Sequence, residues 1–225
     1  MKKSILFSLL VFSTALALVG CKFNPNEPEA GGSYSGKSNG HEYVDLGLSV
    51  KWAACNVGAT TPQGYGYYFA WGETTTKSTY NWSTYSDRIL TKYKNELGGK
   101  TVLDPEDDAA HVNWGGSWRI PTLAEWQELL DNCTWTWTTQ NGINGYMVTS
   151  NKAGYTDKFI FLPAAGYRDD GDLDNVGSYG NYWSPSYFWA SLIEYFAGDL
   201  YFNSDGRIIS YKGRFCGLSV RPVLP

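Results

Sequence analysis

Apolar side chains at Leu123, Trp126, Leu129 and Leu130 recur at intervals of three or four, with Glu125, Gln127, Glu128 and Asp131 between them. This pattern predicts a helix with one apolar stripe, beginning at Leu123. Thr122 and Glu125 form a capping box in which each side chain can bond the other residue's backbone N–H, and Pro121 marks the entry. Such a helix has to lie on another element. Elsewhere the periods are short. Residues 42–55 show short alternating runs broken by a glycine and predict two strands joined by a tight turn. Residues 65–72 (YGYYFAWG) read as an aromatic strand, and 73–99 show no clean period and read as a long irregular excursion. Residues 104–112 predict a short helix, with Asp104 as N-cap, Pro105 at the first helical position and acids in the first turn. The alternation over 134–139, the turn at 140–145 and the return over 146–150 predict a hairpin. Residues 159–163 form a continuous apolar run suited to a strand covered on both faces. Residues 198–202 and 207–210 flank a turn at 203–206, and 219–223 give a closing strand. No internal repeat is present.

The first residues follow a different rule. Met1, Lys2 and Lys3 precede an apolar stretch from Ile5 to Leu18, and Leu18, Val19 and Gly20 lead into Cys21. This resembles the lipobox of bacterial lipoproteins. The resemblance implies cleavage before Cys21, acylation of its sulfur (palmitate among the acyl groups) and anchoring by lipid rather than by a spanning helix. Lys22 after the cysteine, in place of an aspartate, favours the outer membrane. Residues 21–40 are rich in Asn, Pro, Glu, Gly and Ser and read as a flexible tether, leaving 41–225 as one domain.

The chain has 225 residues, 43% of them hydrophobic, which is enough for a single substantial core. An aromatic content of 16% alongside 25 glycines and only 18% charged residues suits short strands, many turns and an extracytoplasmic surface. A net charge of −4 without a basic cluster argues against nucleic acid as a partner. With Cys21 lipidated, Cys55, Cys133 and Cys216 remain, an odd number in an oxidising compartment, and no Cys/His spacing suggests zinc.

The wording of several segments adds a family. Residues 116–126 (GSWRIPTLAEW) resemble the W-R-[LIM]-P-T-x-x-E-W motif of the Fibrobacter succinogenes major paralogous domain and are similar to a segment of formylglycine-generating enzymes. Residues 43–53, 161–168, 180–184 and 217–223 look like further blocks of the same domain in the same order, so the resemblance spans about 42–223. It implies an α+β, C-type-lectin-like fold: small twisted antiparallel sheets, one or two packed helices and long irregular loops. It also implies function by binding a glycan or protein ligand. An enzyme on the formylglycine-generating fold and a structural subunit of a surface assembly are the alternatives.

Catalysis finds little support. Formylglycine-generating enzymes use reactive cysteines close together near the end of the domain, whereas here only Cys216 lies there. His41 and His111 read as surface residues. The acidic run 168–175 invites calcium but lacks a closing glutamate, so neither a metal nor a cofactor is expected. The aromatic stretch 184–196 has neither helical period nor clean alternation and reads as a displayed loop. The expected ligand face comprises Tyr182, Tyr187, Phe188, Trp189, Ser191, Ile193, Tyr195, Tyr211, Lys212, Arg214 and Phe215. Some domains of this kind are targets of diversity-generating retroelements, and the departures from the usual family wording here, including Phe188, Ile193, Phe215 and Cys216, fit a diversified face.

Overall fold

The computed structural model describes residues 34–93, 100–190 and 193–225, without the side chains of Trp189, Ala190, Ile193 and Glu194. The leader and Cys21 lie outside the described residues. In chain order the elements are β1 (Gly36–Ser38), β2 (His41–Val44), β3 (Lys51–Ala53), α1 (Asp87–Lys92), a 3-10 turn (Pro105–Asp107), α2 (Ala109–Trp114) and α3 (Leu123–Asn132). There follow β4 (Cys133–Gln140), β5 (Ile143–Ser150), β6 (Phe159–Pro163), β7 (Tyr167–Asp169), β8 (Asp172–Asp174), β9 (Gly180–Ala190), β10 (Ile193–Asn203), β11 (Gly206–Gly213) and β12 (Val223–Leu224). The strands form antiparallel sheets in the orders β1-β2-β3-β12, β4-β5-β6 and β11-β10-β9, with β7-β8 as a separate hairpin. The architecture is α+β and rich in strands. Among the described residues no helix is long and apolar enough to cross a membrane.

The capping box at α3 is present: the Thr122 hydroxyl accepts from the Glu125 N–H at 3.2 Å, and the Glu125 carboxylate accepts from the Thr122 N–H at 2.8 Å. Arg119 then forks onto the same carboxylate at 2.8 and 2.6 Å, tying the chain before the helix to its first turn. The apolar stripe turns Trp126 and Leu129 inward, and the Trp126 indole packs 4.7 Å from Trp52 and donates to the Trp183 carbonyl. Gly198 makes room for this helix. A Cβ there would stand 2.8 Å from Leu123 and 2.9 Å from the Ser184 hydroxyl.

The hairpin β4-β5 turns on Asn141 and Gly142, whose positive φ values of 49° and 80° match the two-residue turn that right-twisted strands need. Among the described residues the apolar side chains gather in two large clusters that meet around Trp183 and Trp126, one holding Trp71, Trp118 and Trp183, the other Trp52, Trp126, Tyr182 and Phe202, with a small third cluster of Ala54, Cys55 and Ala59.

Several expected elements take another form. Residues 65–72 are not a strand: Phe69 makes one bridge to Leu218, while Tyr67 N–H bonds Val57 O and Trp71 N–H bonds Arg214 O, so no ladder forms. The 104–112 helix breaks at Asp108, which caps α2 by accepting from the Ala110 and His111 N–H groups. Asp104 makes no cap bond and instead pairs with Lys92 and Lys100. The irregular excursion contains α1, capped by Ser86. Residues 34–38, read as tether, already belong to the fold, because β1 pairs with β2 and Ser35 bonds Tyr43. His41 is buried and stacks on Trp114 at 3.8 Å rather than facing solvent.

Candidate functional site

The expected ligand face divides. Within the stretch read as a loop, residues 184–190 belong to β9 and 193–196 to β10, and strand alternation sends neighbouring side chains to opposite sides. Tyr182 is fully buried, donates its hydroxyl to Pro163 O at 2.7 Å and stacks on Phe202. Tyr187 is buried as well. Arg214 is wholly enclosed, with Nη1 donating to Tyr93 O at 3.0 Å and the guanidinium over the rings of Tyr187, Trp71 and Tyr85 at 4.9, 5.3 and 5.5 Å. These three, expected on the ligand face, are core groups enclosed by the fold. Ser191 and the side chains of Trp189 and Ile193 lie outside the described residues.

What remains accessible falls into two groups. In the first, Tyr195 and Phe215 meet Trp82, with ring centroids 4.7 and 4.8 Å away, and Tyr85 supports Trp82 from 5.6 Å. Tyr195 is 49% and Trp82 40% exposed, so a contiguous aromatic surface faces solvent. Trp82 comes from the stretch whose lack of period had yielded no element. The available signal was a tryptophan in a polar run (NWST), a costly residue to display without a use. Its loop is held by Asn81, whose amide donates to the Asp170 carboxylate at 2.7 Å, by Thr84 Oγ1 donating to Thr79 O, and by Tyr85 OH donating to Trp71 O at 2.8 Å.

In the second group Phe188 and Tyr211 lie ring against ring at 3.7 Å, with Tyr211 41% exposed. Tyr211 pairs with Gly198, and Phe188 with Phe196 two residues before it, so this pair belongs to the sheet side on which α3 lies. Lys212 pairs with Ala197 and points the other way, its ammonium 3.3 Å from the centroid of the Tyr167 ring.

Cys133 and Cys216 are free thiols, both buried, and burial pushes each up to about 12, which opposes the reactive thiolate. Asp108, His111 and Ser117 line one cleft of about 260 Å³. There Asp108 accepts from the backbone N–H groups of Ala110, His111 and Ile120, and His111 Nδ1 faces Trp118 O at 3.3 Å, so no relay connects the three. The acidic run 168–175 forms the β7-β8 hairpin. Among the described residues Asp104, Glu106 and Asp107 bring three carboxylates within mutual reach, but Lys92 bonds all of them at 2.8, 2.5 and 2.6 Å and Arg88 also pairs with Asp107. Lys100 and Lys92 hold the Asp104 carboxyl below its usual range.

With family models, curated proteins and solved structures as references, the chain matches none.

Proposed function

We propose that this chain is an exported, lipid-anchored lipoprotein with a C-type-lectin-like domain of the Fibrobacter succinogenes paralogous type, and that it binds a glycan or protein ligand at the outer membrane. The observation that carries the binding reading is the Trp82, Tyr195 and Phe215 surface. Exposed aromatics present a large rigid contact area at small entropic cost, and they stack equally well on sugar rings and on apolar side chains. Phe188 and Tyr211 are a second contact. The sheet beneath supplies the stiffness such a surface needs, through β9, β10 and β11 and the enclosed Arg214.

A combined glycan and protein array probed with the purified chain tests this. Trp82→Ala is expected to weaken the leading interaction by roughly 2 kcal/mol, in the range of aromatic anchors, with an unchanged melting temperature. Binding that survives Trp82→Ala, Tyr195→Ala and Phe215→Ala together sinks the reading. The anchor is tested separately, by tritiated palmitate labelling that Cys21→Ser abolishes. A template repeat and reverse transcriptase near the locus would mark the face as diversified, and their absence would remove that part.

A further inference from the structure

A cleft of about 390 Å³ opens between residues 66–68, 76–80 and β7, apart from the Trp82 surface. Tyr67 stands at its mouth. Its ring is 54% exposed yet held in place: a Cβ on Gly58 would come within 2.4 Å of it, Phe69 meets it edge-on at 6.5 Å, and its N–H bonds Val57 O at 2.8 Å. Tyr80, fully buried, lines the cleft and donates its hydroxyl to Tyr68 O at 2.6 Å.

Arg168 supplies the charge. Its backbone exchanges hydrogen bonds with Gly217 at 2.8 and 2.9 Å, and its guanidinium lies 5.3 Å from the Tyr68 ring centroid. Among the described residues no carboxylate forms an ion pair with it: Glu73 is taken by Lys77 at 2.8 Å, and Asp170 accepts from Asn81. A half-buried guanidinium beside an aromatic face, with its fork unspent, is suited to a planar carboxylate.

We propose that this cleft binds the carboxylate-bearing residue of an acidic saccharide, with Arg168 forking onto the carboxylate, Tyr67 stacking on the apolar face of the ring and the exposed Thr76 hydroxyl meeting a sugar hydroxyl. The site uses none of the residues assigned to the Trp82 surface and stands whether or not that surface binds anything.

Isothermal titration of the full chain with trigalacturonate, with its carboxyl-reduced neutral counterpart and with inorganic phosphate tests the assignment. Only the acidic trimer is expected to bind. Arg168→Gln should weaken it roughly tenfold or more, the loss of a charge-assisted fork. Arg168→Lys, which keeps the charge but not the fork, should fall between the two. Tyr67→Ala, at an exposed side chain that bears no strand pairing, should weaken it by a similar factor, and Ile208→Ala, at an exposed side chain outside the cleft, should leave it unchanged. Equal binding of the neutral trimer, an affinity indifferent to Arg168→Gln and Tyr67→Ala, or no binding of the acidic trimer below about 10 mM would overturn the proposal. Phosphate binding that depends on Arg168 without trigalacturonate binding would overturn the saccharide assignment too.

Discussion

Arg221 sits where no water reaches it, and four acceptors take its protons: Asn56 Oδ1 from Nε at 2.8 Å, Ala53 O and Ala54 O from Nη1 at 2.9 and 2.6 Å, and Phe161 O from Nη2 at 2.8 Å. Burial pushes its pKa down to about 10, so it stays charged at neutral pH. Its guanidinium closes loops from three parts of the chain, and Arg221→Leu would strand those acceptors. The expected loss is roughly 3–5 kcal/mol, read from urea denaturation. Asp199 presents the opposite case. It is 1% exposed, the Asn181 amide donates to Oδ2 at 2.9 Å, and Oδ1 has no partner. Burial pushes its carboxyl up to about 6, against the Asn181 hydrogen bond and the charge of Lys212. The folded state therefore binds a proton more tightly than the unfolded chain. This residue's contribution to stability falls as pH rises from about 4 to about 6, by on the order of 3 kcal/mol, and is level above that. Denaturation of wild type and Asp199→Asn across that range should show the variant's advantage at pH 7 shrinking toward pH 4; parallel curves would refute the assignment.

At the scale of elements, what was legible is what is local. The α3 start is written within four residues, and Thr122→Ala should cost about 1 kcal/mol while Thr122→Ser costs little, measured by thermal melting. The β4-β5 hairpin was legible for the same reason, since a two-residue turn with Gly142 at φ 80° serves one type of connection. The strand β9 and the first residues of β10 were not, although 198–202, read as a strand before the turn at 203–206, is the second half of β10. Their pairing runs from Ala197 opposite Tyr187 to Asp199 opposite Trp183, and the extra residues on β9 break the alternation that marks a strand. The run 65–72 misled for the converse reason. Its aromatics suit a strand, but Gly66 and Gly72 at positive φ bend it along the core. Seating of α3 depends on a missing side chain, so Gly198→Val should destabilise by more than Thr122→Ala in the same melting experiment, through collision with Leu123.

Across the whole molecule the two large apolar clusters share a seam at Trp126 and Trp183, and each contains one free thiol, Cys133 in one and Cys216 in the other. If the clusters unfold as one body, both thiols should resist iodoacetamide at pH 8 in the native state and become reactive over a single range of urea concentration. Mass spectrometry of the labelled peptides distinguishes them, and two separate midpoints would show that the clusters unfold independently. Thiols pushed up to about 12 by burial give no reaction before opening. The same rigidity underlies the proposed binding surface, whose aromatic rings come from a loop, from β10 and from the segment after β11.

The amino-acid sequence by itself determined the capped helix, the β4-β5 and β10-β11 turns and the wealth of aromatics, because periods, caps and turn residues act over a few positions, while the small-sheet α+β class was expected only through the family resemblance. It pointed to Tyr195 and Phe215 without distinguishing them from Tyr182, Tyr187 and Arg214. Only the tertiary structure decided that difference, and only it brought Trp82 to the first pair and set Arg168 beside Tyr67 and Tyr68. Which aromatic faces solvent depends on a bulged register and on long-range packing, and neither leaves a periodic trace in the chain.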